Sequence, residues 1–169
     1  MNTIESFAAV ARADARVLVL GSMPGERSLR DNEYYAHPRN RFWDIMAQLV
    51  GIDRSVPYYE RIAGLSDCGI ALWDVLSRCQ RSGSLDSAIR EPQVNDFRAF
   101  LHDHPSIQAV FFNGGKAESL WQRLVIPRVP ATLLPAHQVR LPSTSPAYAA
   151  MSFEDKLAAW QQLLAYVTA

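Results

Sequence analysis

Cysteine and lysine are both scarce in this 169-residue chain, and each shortage excludes a kind of chemistry. The only two cysteines, Cys68 and Cys79, have ten residues between them and no second pair. That rules out a zinc knuckle and leaves an iron–sulfur cluster without ligands. Both are expected as reduced, largely buried thiols, and no metal or cofactor is expected. Of 17 basic residues only Lys116 and Lys156 are lysines, and 17 acids bring the formal net charge to zero. A broad basic field that grips nucleic acid nonspecifically is therefore absent. The 15 arginines still suit bidentate phosphate contacts, and no acid falls between Glu118 and Glu154, a gap holding Arg123, Arg128, His137 and Arg140. No apolar run approaches the roughly 20 residues of a membrane helix. Glu5 and Asp14 interrupt the first fifteen residues, so no secretory signal is visible and a cytoplasmic location is expected.

With 49% hydrophobic and 20% charged residues and no repeat or linker, residues 1–169 read as a single domain. A short lead-in helix is expected over residues 3–11, then a buried strand over 17–20. Phe42, Met46, Leu49 and Val50 recur at helical spacing up to Gly51. A short helix over 57–63 ends at Gly64, and an apolar strand over 70–76 is broken only by Asp74. Residues 84–90 suggest a turn of helix. Asn95 is placed to cap a helix bearing Phe97, Phe100 and Leu101. A third strand over 107–112 leads into Asn113-Gly114-Gly115 and a helix through Leu124, and a short fourth strand is expected over 131–134. Ser152 caps a last helix, with Leu157, Trp160, Leu164 and Val167 facing inward.

Strands alternating with helices imply an α/β fold, a three-layer α/β/α sandwich around a four-stranded, mostly parallel sheet. In such sheets ligands gather at the carboxyl ends of the strands. Four unusual segments fall there: Gly21-Ser22-Met23-Pro24-Gly25, Trp73-Asp74, Asn113-Gly114-Gly115 and Leu141-Pro142-Ser143-Thr144-Ser145-Pro146. The first lacks the third glycine of a dinucleotide fingerprint and the Gly-Lys-Ser/Thr of a phosphate-binding loop. Close behind it comes Tyr34-Tyr35-Ala36-His37-Pro38-Arg39-Asn40-Arg41-Phe42-Trp43. Aromatic faces, a carboxamide and guanidinium groups together suit a flat heterocycle on an anionic backbone, the demands of a nucleic-acid base site.

Each of these residues also has a plainer role. Asn40 is well placed to cap the Phe42 helix, and a capping asparagine at a pocket rim still presents an amide. Tyr34 and Tyr35 are either rim packing or a stacking platform. His37, extended before Pro38, is either a structural hydrogen-bonding group or an acid–base catalyst. Gly114-Gly115-Lys116 is a simple turn or an anion site. The hydroxyls of residues 143–145 either cap a loop or hold phosphates.

Taken in order, these segments, with Gly69-Ile70-Ala71-Leu72-Trp73-Asp74-Val75-Leu76 and Gly83-Ser84-Leu85-Asp86-Ser87, resemble the uracil-DNA glycosylase superfamily across nearly the whole chain. The branch they resemble is that of the hypoxanthine-DNA (deoxyinosine) glycosylases, relatives of the mismatch-specific uracil glycosylases. The resemblance implies a monofunctional enzyme that flips a deaminated base from DNA and hydrolyses its bond to deoxyribose, leaving an abasic site. It implies a base pocket of Gly21, Ser22, Met23, Pro24, Gly25, Tyr35, His37, Trp73, Asp74 and Asn113, with Tyr35 stacking on the base. Asn40 is similar to the asparagine given the catalytic role in that branch. DNA contacts are expected from Arg39, Arg41, Gly114, Gly115, Lys116, Arg140, Pro142, Ser143, Thr144 and Ser145. Met23 stands where the uracil branches carry a water-activating Asp or Asn, and a thioether cannot orient water. The base favoured is accordingly hypoxanthine. A uracil or mismatch-specific glycosylase and a catalytically weak nucleic-acid-binding module on the same fold are the alternatives. With neither lysine at the pocket centre, no Schiff-base step is expected. DNA bearing a damaged or mismatched base is the expected partner, with no obligate protein partner and no membrane.

Overall fold

Val17, Leu18, Val19 and Leu20 have no exposed surface, so the strand they form must lie inside a sheet covered on both faces. The computed structural model describes residues 2–167. In chain order the elements are β1 (Asn2–Glu5), β2 (Val17–Gly21), α1 (Glu26–Asp31), α2 (Phe42–Val50), α3 (Tyr58–Asp67), β3 (Ile70–Asp74), β4 (Leu76–Arg81), β5 (Arg90–Val94), α4 (Phe97–Asp103), β6 (Ala109–Asn113), α5 (Gly115–Leu120), β7 (His137–Leu141) and α6 (Phe153–Trp160). The main sheet has the order β3-β2-β6-β7 and every pairing in it is parallel.

Alternation along these strands builds the two outer layers. Leu18, Leu20, Ala71, Val110 and Phe112 face one side, where they meet Phe97, Phe100, Leu120 and Trp121. Val17, Val19, Leu72, Ala109 and Phe111 face the other, against Phe42, Trp43, Ile45, Met46, Leu65 and Trp160. The expected three-layer α/β/α sandwich is the one observed.

Several local expectations are corrected. Residues 2–5 form a strand paired with β4 rather than a lead-in helix, and Val10 bridges Leu72 along the open edge of β3. The apolar run 70–76 is two strands, because the chain leaves the main sheet at Val75 and β4 joins a separate antiparallel sheet, β1-β4-β5. Gly64 lies inside α3 rather than at its end; the missing side chain lets Ile52 pack there, 3.2 Å from where a Cβ would be. Asp96, not Asn95, caps α4 by accepting the Ala99 N–H, while the Asn95 amide donates to the Asp74 carbonyl. Residues 131–133, between Pro130 and Pro135, form a 3-10 turn, and the fourth strand is instead β7, whose polar His137, Gln138 and Arg140 suit a sheet edge. The helix after Gly115 loosens into a π turn at Trp121, and α1 follows Gly25 where no helix was expected. Ser152 caps α6 as expected, but Leu163 rather than Leu164 is buried beyond it.

Candidate active site

The parallel register sets Gly21 beside Asp74, and Asn113 beside Leu141, at one edge of the sheet. The segments that leave those four positions wall a cleft of about 740 Å³, ample for a nucleoside. Lining it are Gly21, Ser22, Met23, Pro24, Gly25, Tyr35, His37, Asn40, Asp74 and Asn113, brought together from four separate stretches of sequence.

Asn40 is one residue short of capping α2, since Arg41 is the cap residue. Its Oδ1 accepts the Phe42 N–H at 2.9 Å, an Asx turn that starts the helix. A backbone N–H can only donate, so this contact fixes which way the carboxamide faces. Nδ2 meets no acceptor among the described residues and is left as a donor at the cleft. Arg54 donates to the Asn40 and Pro38 carbonyls, holding this turn from behind.

Tyr35 has φ +56°, a left-handed conformation unusual for a bulky side chain and of the kind that collects at functional sites. Its ring stacks on Phe42, 4.2 Å between centroids and 24° between planes, and also borders the cleft. Tyr34, by contrast, is buried and donates to the Ala8 carbonyl, so it packs rather than stacks on a ligand. His37 Nδ1 accepts the Arg39 N–H at 3.0 Å; in the neutral ring the proton is then on Nε2.

At the floor lies Asp74, 4% exposed. Burial pushes its carboxyl up to about 7; the Asp86 charge adds to that and Arg81 opposes it. Burial also raises the Tyr34 and Tyr35 hydroxyls above their ordinary range, with the Asp74 charge as the next cause in each. Gly21 makes room for this arrangement: a Cβ there would be 2.6 Å from Asp74 Oδ1 and 3.5 Å from Tyr35 Oη.

Five sequence assignments change. Trp73, expected as pocket wall, points to the opposite face, packs on Phe97 and Phe100 at 4.9 and 4.7 Å, and donates its indole N–H to the Phe7 carbonyl. The alternation of β3 that aims Asp74 at the cleft necessarily turns Trp73 away. Thr144, expected on DNA, has no exposed surface; its Oγ1 accepts from Asn113 Nδ2 and its N–H donates to Asn113 Oδ1, both at 2.9 Å. The Asn113 carboxamide lines the cleft but is occupied in this clamp, and the Thr144 carbonyl takes the Arg41 N–H, so three loops are tied together. Arg39, Arg41 and Lys116 do not line the cleft. Arg41 instead covers the Phe153 ring at 4.2 Å and pairs with Asp44.

The other expected DNA contacts gather at the cleft: Gly114, Gly115, Arg140, Pro142, Ser143 and Ser145. Gly114 has φ +101° and lies against Ser143, 3.1 Å from its would-be Cβ to that of the serine, so only glycine fits. Residues 84–87, part of the 84–90 stretch expected as a turn of helix, form a further wall. Their sequence signal was the polar run Gly83-Ser84-Leu85-Asp86-Ser87 between two strands. Asp86 accepts the Ser22 hydroxyl at 2.5 Å, and buried Arg81 donates to the Gly83 and Pro24 carbonyls, locking this wall to residues 21–25.

The model of the Uracil DNA glycosylase superfamily matches residues 8–164. A Hypoxanthine DNA glycosylase of Methanosarcina barkeri is 35% identical over 114 residues, 67% of this chain and 72% of the relative. One of Methanosarcina acetivorans is 35% identical over 112 residues, 66% of this chain and 71% of the relative. A solution NMR structure assigned as a uracil DNA glycosylase, also from Methanosarcina acetivorans, superposes with a TM-score of 0.80 at 28% identity, covering 96% of this chain and 97% of that one. With its sheet order, its cleft and these matches in hand, the chain belongs to the uracil DNA glycosylase superfamily.

Proposed function

We propose that this protein is a monofunctional DNA glycosylase that flips a deaminated purine, chiefly hypoxanthine, from DNA and hydrolyses its bond to deoxyribose. One observation carries the reading: a single cleft, sized for a nucleoside, holds the Tyr35 ring together with an Asn40 amide whose Nδ2 has no partner among the described residues. Two relatives that are 35% identical to this chain, over 114 and 112 residues, carry the name Hypoxanthine DNA glycosylase, which supports the reading.

Flipping costs a few kcal/mol, least for a mispaired base, so weak pairing contributes selectivity. The base then enters beside Tyr35. As the C1′–N9 bond breaks, its electron pair leaves with the purine and the sugar becomes oxocarbenium-like. Water adds to C1′, and the proton that water loses balances the one gained by the departed base. Asn40 cannot remove a proton at neutral pH, so it acts as a donor that positions and polarises. Met23, 7% exposed and packed into the core, supplies shape rather than polarity. Arg140, with its side chain 61% exposed at the rim, is the cation best placed for a phosphate. Such a substrate is met on DNA, and no helix among the described residues is long and apolar enough to cross a membrane.

The test is an excision panel on otherwise identical duplexes containing deoxyinosine, xanthine, uracil or ethenocytosine, followed by alkali. Strand breaks at deoxyinosine above all others are the expected result. Tight binding of these duplexes without abasic sites would make the chain a binding module instead.

A further inference from the structure

Among the described residues only three enclosed side-chain polar atoms lack a hydrogen-bond partner: Tyr35 Oη, Asp74 Oδ2 and Arg81 Nη1. Buried polar groups are normally paired, so an unpaired cluster points to a partner that arrives from outside. Two of the three belong to residues that line the cleft, and the absent Cβ of Gly21 brings the Asp74 carboxyl and the Tyr35 hydroxyl to the same spot. The Asn113 carboxamide lies near that hydroxyl but is directed to Thr144, and makes no hydrogen bond of good geometry with it.

We propose that Asp74 works as a neutral carboxylic acid, donating a hydrogen bond to the flipped base and holding the negative charge that develops on it as the glycosidic bond breaks. The proposal rests on the glycosylase reading and names a further catalytic residue within it. No cation lies within ion-pair distance of Asp74 among the described residues. An unpaired carboxylate at 4% exposure is costly, and the neutral form relieves that cost. An ionised Asp74 would repel a departing base anion, whereas a carboxylic O–H stabilises it.

The surroundings favour the neutral state from each side. The β4–β5 wall contributes Asp86, a like charge, while β4 contributes Arg81, whose guanidinium is held by the Gly83 and Pro24 carbonyls and opposes the shift only in part. The segment before α2 contributes Tyr34 and Tyr35, both neutral because burial raises them. From β2 and β6 come only Gly21 and Asn113, neither charged. Glu26, Arg27, His37, Arg140 and Tyr148 complete the titratable and charged lining of the cleft. The carboxyl, pushed up to about 7, is thus about half protonated near neutrality and becomes largely protonated as the pH falls below it.

The experiment is single-turnover release of hypoxanthine from a saturated deoxyinosine duplex, followed from about pH 5.5 to about pH 9. The wild-type rate is expected to fall about tenfold per pH unit above a midpoint near neutrality. Asp74→Asn keeps an uncharged donor of the same shape, so it should stay active and lose that descending limb. Asp74→Leu should lose about 10²- to 10³-fold in rate at every pH. Melting and duplex affinity of both variants are measured alongside. A descending limb that persists in Asp74→Asn, a wild-type rate that is flat or rises through neutrality, or a folded Asp74→Leu within a few-fold of wild type would each overturn the proposal. Wild-type protein that releases no base at any pH would instead overturn the glycosylase reading on which it rests.

Discussion

In the proposed mechanism Asn40 has two jobs, one on each end of its carboxamide, and paired substitutions separate them. Asn40→Ala removes both the Oδ1 that accepts the Phe42 N–H and the Nδ2 donor. Asn40→Asp keeps an oxygen for Phe42 and loses only the donor. A single hydrogen bond that starts a helix contributes about 1 kcal/mol, which for a chain of this length lowers Tm by about 3 °C. Against a typical stability of about 5–15 kcal/mol, that loss leaves almost every molecule folded. Losing a donor aimed at developing charge costs about 10²- to 10³-fold in rate. The two effects therefore differ too much to be confused. Both variants are expected to lose excision by at least about 10²-fold in single turnover, while only Asn40→Ala melts lower and both keep duplex affinity. The donor role is refuted if Asn40→Asp turns over within about threefold of wild type. If Asn40→Asp melts as low as Asn40→Ala, the Asx turn is not what holds the start of α2.

Gly21→Ala would put a methyl group 2.6 Å from Asp74 Oδ1, so a loss of about 1–3 kcal/mol in denaturant melts and a fall in excision are expected. Arg140→Ala should reduce the slope of log affinity against log salt by about 0.9, the contribution of one phosphate; Thr144→Val should leave that slope unchanged and lower stability by about 1–2 kcal/mol, because its hydroxyl meets Asn113 rather than solvent. The pH dependence of melting reports Asp74 separately. Its folded carboxyl is raised from 3.8 to about 7, so the folded state holds the proton more tightly and the contribution to stability declines as pH rises through that interval, then levels off. Asp74→Asn removes this decline, and a wild-type curve that rises over the same window in its Asp74-dependent part would contradict the buried, raised carboxyl.

Much of the architecture was legible because it rests on patterns that burial imposes directly. Residues 17–20 and 109–112 are apolar on both sides, which only a central strand of a covered sheet tolerates, and the glycines after them mark where the chain turns at the ligand edge. β7 was not legible: an edge strand needs no continuous apolar run, and His137-Gln138-Val139-Arg140 reads as loop until β6 offers it a partner. Nor was the break at Val75, because an apolar run through residues 70–76 looks the same whether it stays in one sheet or passes to another.

At the site the division is similar. The residue types at the cleft, and their collection at the carboxyl edge, follow from sequence order and the parallel topology that order implies. Which way each side chain faces was settled only by tertiary contacts. Alternation along β3 turned Trp73 out and Asp74 in, and Thr144 was drawn inward because Asn113 meets both its hydroxyl and its amide. The state of Asp74 depends on what surrounds it in space: an aspartate in a string of letters is an ordinary acid, and enclosure beside Asp86, with no paired cation among the described residues, makes it a weak one. Composition and spacing could name the groups present, but charge and hydrogen bonding act over distances that only the folded chain sets.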